Sequence, residues 1–228
     1  MPSVGLFDGD IIAFSCAFVG NKSPNKGASL AAIKEMLVNC IENLSLSSGR
    51  IFLTGKDNFR KKIDPEYKLH RKKLDKPLYL TECYDYLESV WGAEWVSGME
   101  ADDALGLNQR EDTVIITIDK DLDQVPGWHY NWKKFKLYNI DKNTADLFIW
   151  QQMLTGDVSD NIKGIKGYGP VKARKLIDSC SNINYVKLAV YDMYCELGRE
   201  KDFYNNYKLL KILQSLPIED NWKGLPNE

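Results

Sequence analysis

The sequence predicts an α/β fold: a central, mostly parallel sheet flanked by helices, followed by a helical C-terminal part. Three observations lead to this prediction. Short apolar segments alternate with helical patterns through the first half of the chain. Residues 113–118 are apolar almost without interruption, which is typical of a strand covered on both faces in a parallel sheet. From Thr144 onward the pattern is mainly helical, apart from one glycine-rich stretch.

The first elements each have a local signal. Residues 4–7 form a short apolar run that ends at Asp8, which predicts a buried strand. Apolar residues at steps of three and four predict a helix over 29–46. Residues 50–53 predict a second strand, closed by the Thr-Gly pair at 54–55.

The remaining elements complete the alternation. Residues 80–91 predict a helix, 94–96 a brief strand, 100–109 a helix, and 113–118 the strongest strand of the chain. We therefore expect an α/β core over 1–143 and a helical region over 144–228.

Composition excludes several classes of protein. The 228 residues are 44% hydrophobic, which suits one large domain or one domain with a modest appendage. The sequence has no apolar run long enough for a membrane span and no signal-peptide layout at its start. Five widely spaced cysteines without a Cys-x-x-Cys pair predict reduced thiols in a cytoplasmic protein. Only two histidines are present, which argues against a histidine-built metal site or a Ser-His-Asp triad.

Charge is segregated along the chain, although the net charge is only −2. The basic stretch, Lys56 to Lys76, has nine basic and four acidic residues. Separate patches of each sign fit a cation site beside a surface that binds a polyanion. The acids cluster at Asp8 and Asp10, at Glu100 to Asp103, at Asp119 to Asp123, and at Asp157 and Asp160.

Carboxylates follow two of the predicted strands. Asp8 and Asp119 each end a strand, and parallel strands bring their carboxyl ends to one edge, where ligands bind. Glu100 and Asp103 share one face of a predicted helix, with Asp102 beside them. A plainer interpretation of these three acids stays open: they occupy a helix's first turn and complement its dipole.

The repeated acid clusters favour a metal site. Several carboxylates gathered without a cation would cost several kcal/mol in repulsion and desolvation. Ligands that are all oxygen indicate magnesium or manganese and argue against zinc. The number of carboxylates is sufficient for two ions, the arrangement that serves phosphoryl transfer.

The glycine-rich stretch over 155–177 predicts a phosphate-binding turn. Gly164, Gly167 and Gly169 permit close backbone approach, and Pro170 suits the first position of a helix. A glycine loop before a helix presents N–H groups to phosphate. The glycine order differs from that of a dinucleotide site, whereas a purely structural helix-turn-helix corner stays open. The positive charge of the glycine-rich stretch comes from Lys163, Lys166, Lys172, Arg174 and Lys175.

Together these segments resemble the 5′ nucleases, also called flap endonucleases and 5′–3′ exonucleases, and in particular their bacteriophage branch. The resemblance covers roughly residues 4–177, in the family's order. The matching segments are Leu6-Phe-Asp-Gly9; Phe59-Arg60 with Pro65-Glu-Tyr-Lys68 and Arg71; Glu100-Ala-Asp-Asp103; Ile118-Asp-Lys-Asp-Leu122; and Gly156-Asp-x-x-Asp-Asn-Ile before Gly-Ile-x-Gly-x-Gly.

The resemblance implies a PIN-like core, a basic helical arch over about 58–92, and a helix-three-turn-helix over about 155–178. It also implies a structure-specific 5′ nuclease with exonuclease, flap or RNase H-like activity, acting in replication or repair through two magnesium ions, which manganese can replace. The expected partner is branched, nicked or ended duplex DNA, or an RNA–DNA hybrid, bound by a monomer in the cytoplasm, that of the bacterial host if phage-encoded. A potassium ion at the helix-three-turn-helix is a further expectation.

By matched position, the resemblance also implies roles for individual residues. Lys68 and Arg71 would neutralise charge on the reacting phosphate. The first magnesium ion would be surrounded by Asp8, Glu100, Asp102, Asp103 and Asp119. The second would be bound, directly or through water, by Asp121, Asp157 and Asp160, and Asp57 matches a further acid of the family near the site. The implied DNA-binding residues are Arg60, Lys61, Tyr67, Lys72, Gly164, Lys166, Gly167, Gly169 and Lys172.

Several alternatives stay open at this point. The basic stretch is also typical of a solvated charged helix, and Tyr67 either stacks on a terminal base or packs in the protein. Asp10 either binds a metal ion through a water molecule or takes no part in metal binding. At the level of function, the alternatives are a non-catalytic module that binds duplex DNA and a single-strand ribonuclease of the PIN fold.

Overall fold

The computed structural model describes residues 1–21, 24–73 and 75–226, with only the backbone of Lys72 and Lys73. The chain forms two compact units. Unit 1 consists of residues Met1–Asn58 and Asp75–Ile140, and unit 2 of residues Phe59–Leu74 and Asp141–Glu228. Among the described residues, no helix combines the length and apolarity needed to cross a bilayer.

Strands and helices alternate along the chain. The strands are β1 (Val4–Asp8), β2 (Ser48–Thr54), β3 (Glu94–Val96), β4 (Thr113–Ile116), β5 (Gly127–Asn131), β6 (Lys136–Ile140), β7 (Gly156–Asp157) and β8 (Ile162–Lys163). The α-helices are α1 (Gly9–Asn21), α2 (Lys26–Leu44), α3 (Arg60–Ile63), α4 (Leu80–Trp91), α5 (Ala101–Asn108), α6 (Lys142–Thr155), α7 (Pro170–Ser179), α8 (Ile183–Glu196) and α9 (Glu200–Leu210). Short 3-10 helices span Leu69–Lys73, Asp121–Gln124 and Ile218–Trp222.

Unit 1 contains a six-stranded sheet in the order β3-β2-β1-β4-β5-β6. The first five strands in this order are parallel, and only β6 runs antiparallel, against β5. Apolar residues of α1, α2 and α4 pack with the strands in one core that includes Phe7, Ile12, Ile33, Leu53 and Ile116. The predicted fold class, a mostly parallel sheet flanked by helices, is confirmed.

Some elements of unit 1 have bounds that differ from the predicted ones, and others were not predicted. Helix α1 has no predicted counterpart because apolar residues such as Phe14, Phe18 and Val19 extend onto its exposed side, which obscures a helical period. The β5–β6 hairpin was also missed. Strand β4 ends at Ile116, two residues before the predicted end, because Thr117 turns its side chain toward Asp8.

Unit 2 is mainly helical, as predicted for the C-terminal part. Aromatic rings form much of its core: Trp150 lies against Phe203 and Tyr207, with ring centroids 6.2 and 5.4 Å apart. The buried Tyr194 hydroxyl donates to the Met153 carbonyl oxygen at 2.7 Å. The short β7–β8 ladder joins the end of α6 to the glycine-rich turn.

The division between units differs from the predicted boundary after residue 143. Unit 1 ends at Ile140, and residues 59–74, which we expected in the core with the arch, belong to unit 2. The cause lies at the start of this segment. The Arg60 guanidinium donates to the carbonyl oxygens of Leu209 and Lys211 at 2.8 and 2.7 Å, and the Phe59 ring lies against Trp222.

Candidate functional site

Asp8 lies buried at the carboxyl end of β1, with 1% of its surface exposed. The Thr117 hydroxyl donates to its Oδ2 at 2.7 Å, and the Ile11 amide donates to Oδ1 at 3.2 Å. Thr117 Oγ also accepts from the Asp119 amide at 3.0 Å, and the Asp121 amide donates to Asp119 Oδ1 at 2.9 Å. One threonine therefore connects the acids that follow β1 and β4, as the parallel order predicts.

Asp10 adds a second carboxylate near Asp8. Its oxygens accept from the Thr54 amide, the closer at 3.2 Å, and from the Tyr84 hydroxyl. Burial raises the pKa of Asp8 to about 7, and the negative charges of Asp10 and Asp119 add to this rise. The hydrogen bonds from Thr117 and Ile11 lower the pKa but do not cancel the effect. This edge of the sheet therefore has a negative potential that a cation would relieve.

The third acidic motif begins helix α5. The Glu100 amide donates to Asp103 Oδ2 at 3.0 Å within a reciprocal capping box, so the plainer first-turn interpretation describes part of what these acids do. Asn58 donates to Glu100 Oε1 at 2.9 Å. The Ala101 amide donates to Thr54 Oγ1 at 2.9 Å, which ties the start of α5 to the strand that contacts Asp10.

Sequence reasoning missed the polar residues that hold these acids. Thr54 is the last residue of β2, Asn58 lies in the loop after it, and Thr117 directly follows β4. A hydroxyl or amide side chain at or just past the end of a parallel strand was the signal available. Asp57, an expected metal ligand, is exposed, and its neighbour Asn58 is the residue that contacts Glu100. Asp102 and Asp121 are partly exposed.

The unit 1 acids fit a hard divalent cation by their chemistry. All of the candidate ligands are carboxylates, the donors that magnesium and manganese prefer. In residues 1–21, 24–73 and 75–226, no three Asp, Glu, His or Cys side chains converge on one position. Like-charged carboxylates held by Thr117, Thr54 and Asn58 are expected to stay apart until a cation offsets their repulsion.

Unit 2 has a different arrangement around Asp160, which is 8% exposed. The Tyr67 hydroxyl donates to its Oδ2 at 3.0 Å, and Lys68 Nζ lies 3.5 Å from the same oxygen. Arg71 forms an ion pair with Oδ1. Tyr67 is buried, with 4% exposed, so the packing alternative describes its ring in this structure.

Backbone contacts reinforce this cluster. The Lys68 amide donates to the Asp160 carbonyl oxygen at 3.1 Å, and Lys68 has a left-handed backbone, with φ of 55°. Arg71 Nε donates to the Ser159 carbonyl oxygen at 2.9 Å. Asp157 Oδ1 accepts from the Ser159 amide at 2.7 Å and so closes the turn before Asp160. Residues 157–161 are therefore held against the basic stretch within unit 2.

The glycine-rich turn depends on close backbone approach. A Cβ atom added to Gly164 would lie 2.3 Å from the Gly156 nitrogen, and one added to Gly156, where φ is +69°, would lie equally close to the Gly164 nitrogen. Gly167 also has a positive φ, and Gly169 precedes Pro170 at the start of α7. An open depression of about 740 Å³ is lined by this turn and Arg199.

The expected DNA-binding lysines have different environments. Lys61 and Lys166 are exposed. Lys172 Nζ lies 4.0 Å from the centroid of the Tyr168 ring. The Lys72 side chain falls outside the described part of the chain.

One expected DNA contact is corrected. Arg60 is 2% exposed, and its guanidinium binds the last carbonyl oxygens of α9. It therefore stabilises unit 2 and does not present its charge to a phosphate.

Comparisons with known proteins find nucleases among the sequences that this chain resembles. No protein-family model matches the chain. A 5′–3′ exonuclease of Buchnera aphidicola subsp. Schizaphis graminum is 29% identical over 94% of this chain and 76% of the relative. The exodeoxyribonuclease of enterobacteria phage T3 is 30% identical over 49% of this chain and 41% of its own length. Flap endonuclease Xni of Shewanella baltica is 24% identical over 73% of this chain and 72% of the relative.

Solved structures share the fold. The bacteriophage T5 flap endonuclease, in a complex with DNA and metal ions, has a TM-score of 0.71 at 16% identity, covering 96% of each chain. The T5 5′-exonuclease with bound zinc has a TM-score of 0.72 at 18% identity over 91% of this chain and 88% of its own. The catalytic core of Rad2 with DNA has a TM-score of 0.52 at 17% identity over 88% and 68%. The predicted PIN-like fold and the resemblance to 5′ nucleases are confirmed.

Proposed function

We propose that this protein is a structure-specific 5′ nuclease that hydrolyses phosphodiester bonds near 5′ ends of DNA during replication or repair. One observation carries the proposal: buried Asp8, with its raised pKa, lies with Asp10 and Asp119 where neighbouring parallel strands end. That arrangement belongs to a chain similar to 5′–3′ exonucleases and flap endonucleases. Both exonuclease and flap cutting are included in the proposal, and so is RNase H-like cutting.

We propose magnesium as the cofactor, with two ions bound and manganese as a substitute. The carboxylate chemistry supports this choice. When bound, such ions activate a water molecule and stabilise charge on the attacking and leaving oxygens. Thr117, Thr54 and Asn58 orient the acids through the hydrogen bonds described above. The proposed ligands are Asp8, Glu100, Asp102, Asp103, Asp119 and Asp121 of unit 1, with Asp57 as a weaker candidate, and Asp157 of unit 2.

Unit 2 supplies the proposed phosphate contacts. Lys68 and Arg71 would donate to the reacting phosphate and reduce its negative charge. The glycine-rich turn and the start of α7 would bind the backbone of duplex DNA without reading sequence, with Lys166 and Lys172 adding charge. A potassium ion bound by carbonyl oxygens of this turn is part of the proposal.

We propose branched, nicked or ended duplex DNA as the partner, with RNA–DNA hybrids as a second substrate. The DNA-bound structural neighbours support the first of these. We further propose that the protein acts as a monomer in the cytoplasm, that of the bacterial host if it is phage-encoded. The five cysteines, all free thiols, support a reducing location.

A cleavage assay tests the proposal. The protein would be incubated with 5′-flap, nicked and blunt duplexes labelled at either end, in magnesium or EDTA. We expect magnesium-dependent products that shorten from the 5′ end or release the flap. Asp119→Ala should abolish them. Asp112→Ala is the matched control, because Asp112 lies at the opposite end of β4 and is exposed.

The outcome also separates the alternative functions. A protein that binds these duplexes but cuts none of them with magnesium or manganese would be a DNA-binding module. Cleavage confined to single-stranded RNA would indicate a PIN-type ribonuclease. Either result would overturn the proposed activity.

A further inference from the structure

Both carboxylate oxygens of Asp160 are contacted by donors of the protein. Its Oδ1 accepts hydrogen bonds from Arg71 Nη2 and, at 3.4 Å, from the Ser159 hydroxyl. Its Oδ2 receives the Tyr67 hydroxyl and lies 3.5 Å from Lys68 Nζ. A carboxylate has about four lone-pair sites, and protein donors approach all of them here. Direct coordination of a metal ion by Asp160 would require displacing at least one of these donors.

Asp160 therefore holds the two cations that the proposed function places on the reacting phosphate. Lys68 is fixed twice, through its side chain and through its amide, which donates to the Asp160 carbonyl oxygen at 3.1 Å. Arg71 is fixed through Nη2 and through Nε, which donates to the Ser159 carbonyl oxygen. These bonds remove the rotational freedom that both long side chains would otherwise lose on binding phosphate.

Arg71 nonetheless keeps a donor for a ligand. Its side chain is 47% exposed, and its Nη1 makes no hydrogen bond within the part of the chain that the structure describes. A guanidinium has five N–H groups, so binding Asp160 and Ser159 on one edge leaves the other edge available to phosphate oxygens. The anchored guanidinium is thus oriented and still able to bind.

We propose that Asp160 is a positioning residue, which acts through Lys68 and Arg71 on the phosphate, and that it is not a direct metal ligand. This inference rests on the proposed nuclease activity. Asp157, three residues earlier, is the matched comparison, because it accepts from Ser159 and the Asp160 amide and forms no ion pair with a cation of the described residues.

Manganese binding to the DNA-free protein, measured by electron paramagnetic resonance, separates the two roles without using activity. Asp160→Asn keeps the shape of the side chain and removes its charge. We expect its manganese affinity to stay within about twofold of the wild type. Asp157→Asn, a change of a proposed ligand, should lose at least about 10-fold, because even the loss of an outer-shell partner of a ligand typically costs about 10- to 100-fold. A comparable loss in Asp160→Asn would overturn the inference.

A double-mutant cycle on flap cleavage then tests whether Asp160 acts through Arg71. We expect Asp160→Asn to lower kcat by about 10-fold, without rescue by higher magnesium. Because part of its effect passes through Arg71, Asp160→Asn should cost clearly less when it is added to Arg71→Ala than when it is introduced into the wild type. Multiplying losses would instead place Asp160 in a separate role and contradict the proposal.

Hydrogen exchange provides a readout that does not depend on cleavage. In Asp160→Asn, the amides of the 3-10 helix Leu69–Lys73 should exchange faster, while those of β4 should not change. Unchanged exchange in both segments would overturn the proposal. If the wild-type protein cut no substrate, the proposed function would fail, whereas the manganese and exchange results would still report on Asp160.

Discussion

The two units treat buried carboxylates in opposite ways. In unit 1, Asp8 is buried beside Asp10 and Asp119, and its burial, with the added effect of these two charges, raises its pKa to about 7. In unit 2, Asp160 is buried beside Lys68 and Arg71, which offset its charge. The first arrangement is poor for stability and good for binding a cation, and the second is complete without one. Local charge balance thus distinguishes an acid that binds metal from an acid that orients other residues.

The largest effect that this comparison predicts is on catalysis. Asp8→Asn removes a fully buried carboxylate of unit 1 and keeps its size. We expect single-turnover cleavage of a 5′-flap substrate to fall by at least about 10³-fold, since metal ions contribute several kcal/mol of transition-state stabilisation. Asp112→Asn, at the other end of β4, should cut normally. Cleavage by Asp8→Asn within tenfold of the wild type would contradict the assignment of unit 1 as the metal-binding unit.

The same variant should be more stable than the wild type when no metal is present. The folded-state pKa of Asp8 is about 7, against 3.8 as its ordinary value, so the folded protein holds the proton more tightly. Stability should therefore fall as pH rises from about 4 to 7, by up to about 4 kcal/mol. Asp8→Asn should lack this fall. Urea denaturation in EDTA at pH 5 and pH 8 measures the stability of the wild type and of Asp8→Asn. Addition of magnesium should restore the stability that the wild type loses at pH 8.

Unit 2 contains a partly buried base, Lys211, whose titration has the opposite effect on stability. Burial lowers the pKa of Lys211 from 10.5 to about 8, with the nearby charge of Asp146 opposing the shift. Between these values the unfolded chain holds more protons, so stability should rise with pH through this window, by up to about 3 kcal/mol. Lys211→Met should flatten the rise in thermal denaturation between pH 8 and pH 10. An unchanged slope would show that the ammonium group is hydrated in the folded state.

Much of the unit 1 site could be predicted because parallel strands impose it. Once β1 and β4 were recognised from their apolar runs, their parallel order required Asp8 and Asp119 to share an edge. The particular bonds through Thr117 and Thr54 could not be predicted, because they depend on the exact directions of groups at the strand ends and not on a period. The β5–β6 hairpin was missed because its polar and aromatic residues alternate only weakly.

The contacts around Asp160 could not be predicted from the sequence for a different reason. Tyr67 and Asp160 are 93 positions apart, and neither lies in an element with a strong period. Charge alone placed Arg60, Lys68 and Arg71 in one class, although the first is buried against α9 and the others face Asp160. Composition counts charges, whereas burial and partners decide what each charge does.

The smallest predicted effect tests the tyrosine of the Asp160 cluster. Tyr67→Phe removes the hydroxyl that donates to Asp160 Oδ2 and keeps the buried ring. We expect the free energy of unfolding to fall by about 1.5–3 kcal/mol, as for a hydrogen bond to a charged group. Cleavage should change less than about threefold because Lys68 and Arg71 still contact the carboxylate. Tyr168→Phe is the matched control in unit 2, and its stability should not change. Equal stabilities for both variants would mean that Lys68 and Arg71 alone hold Asp160, and the charge contrast between the two units would then rest on the ion pairs.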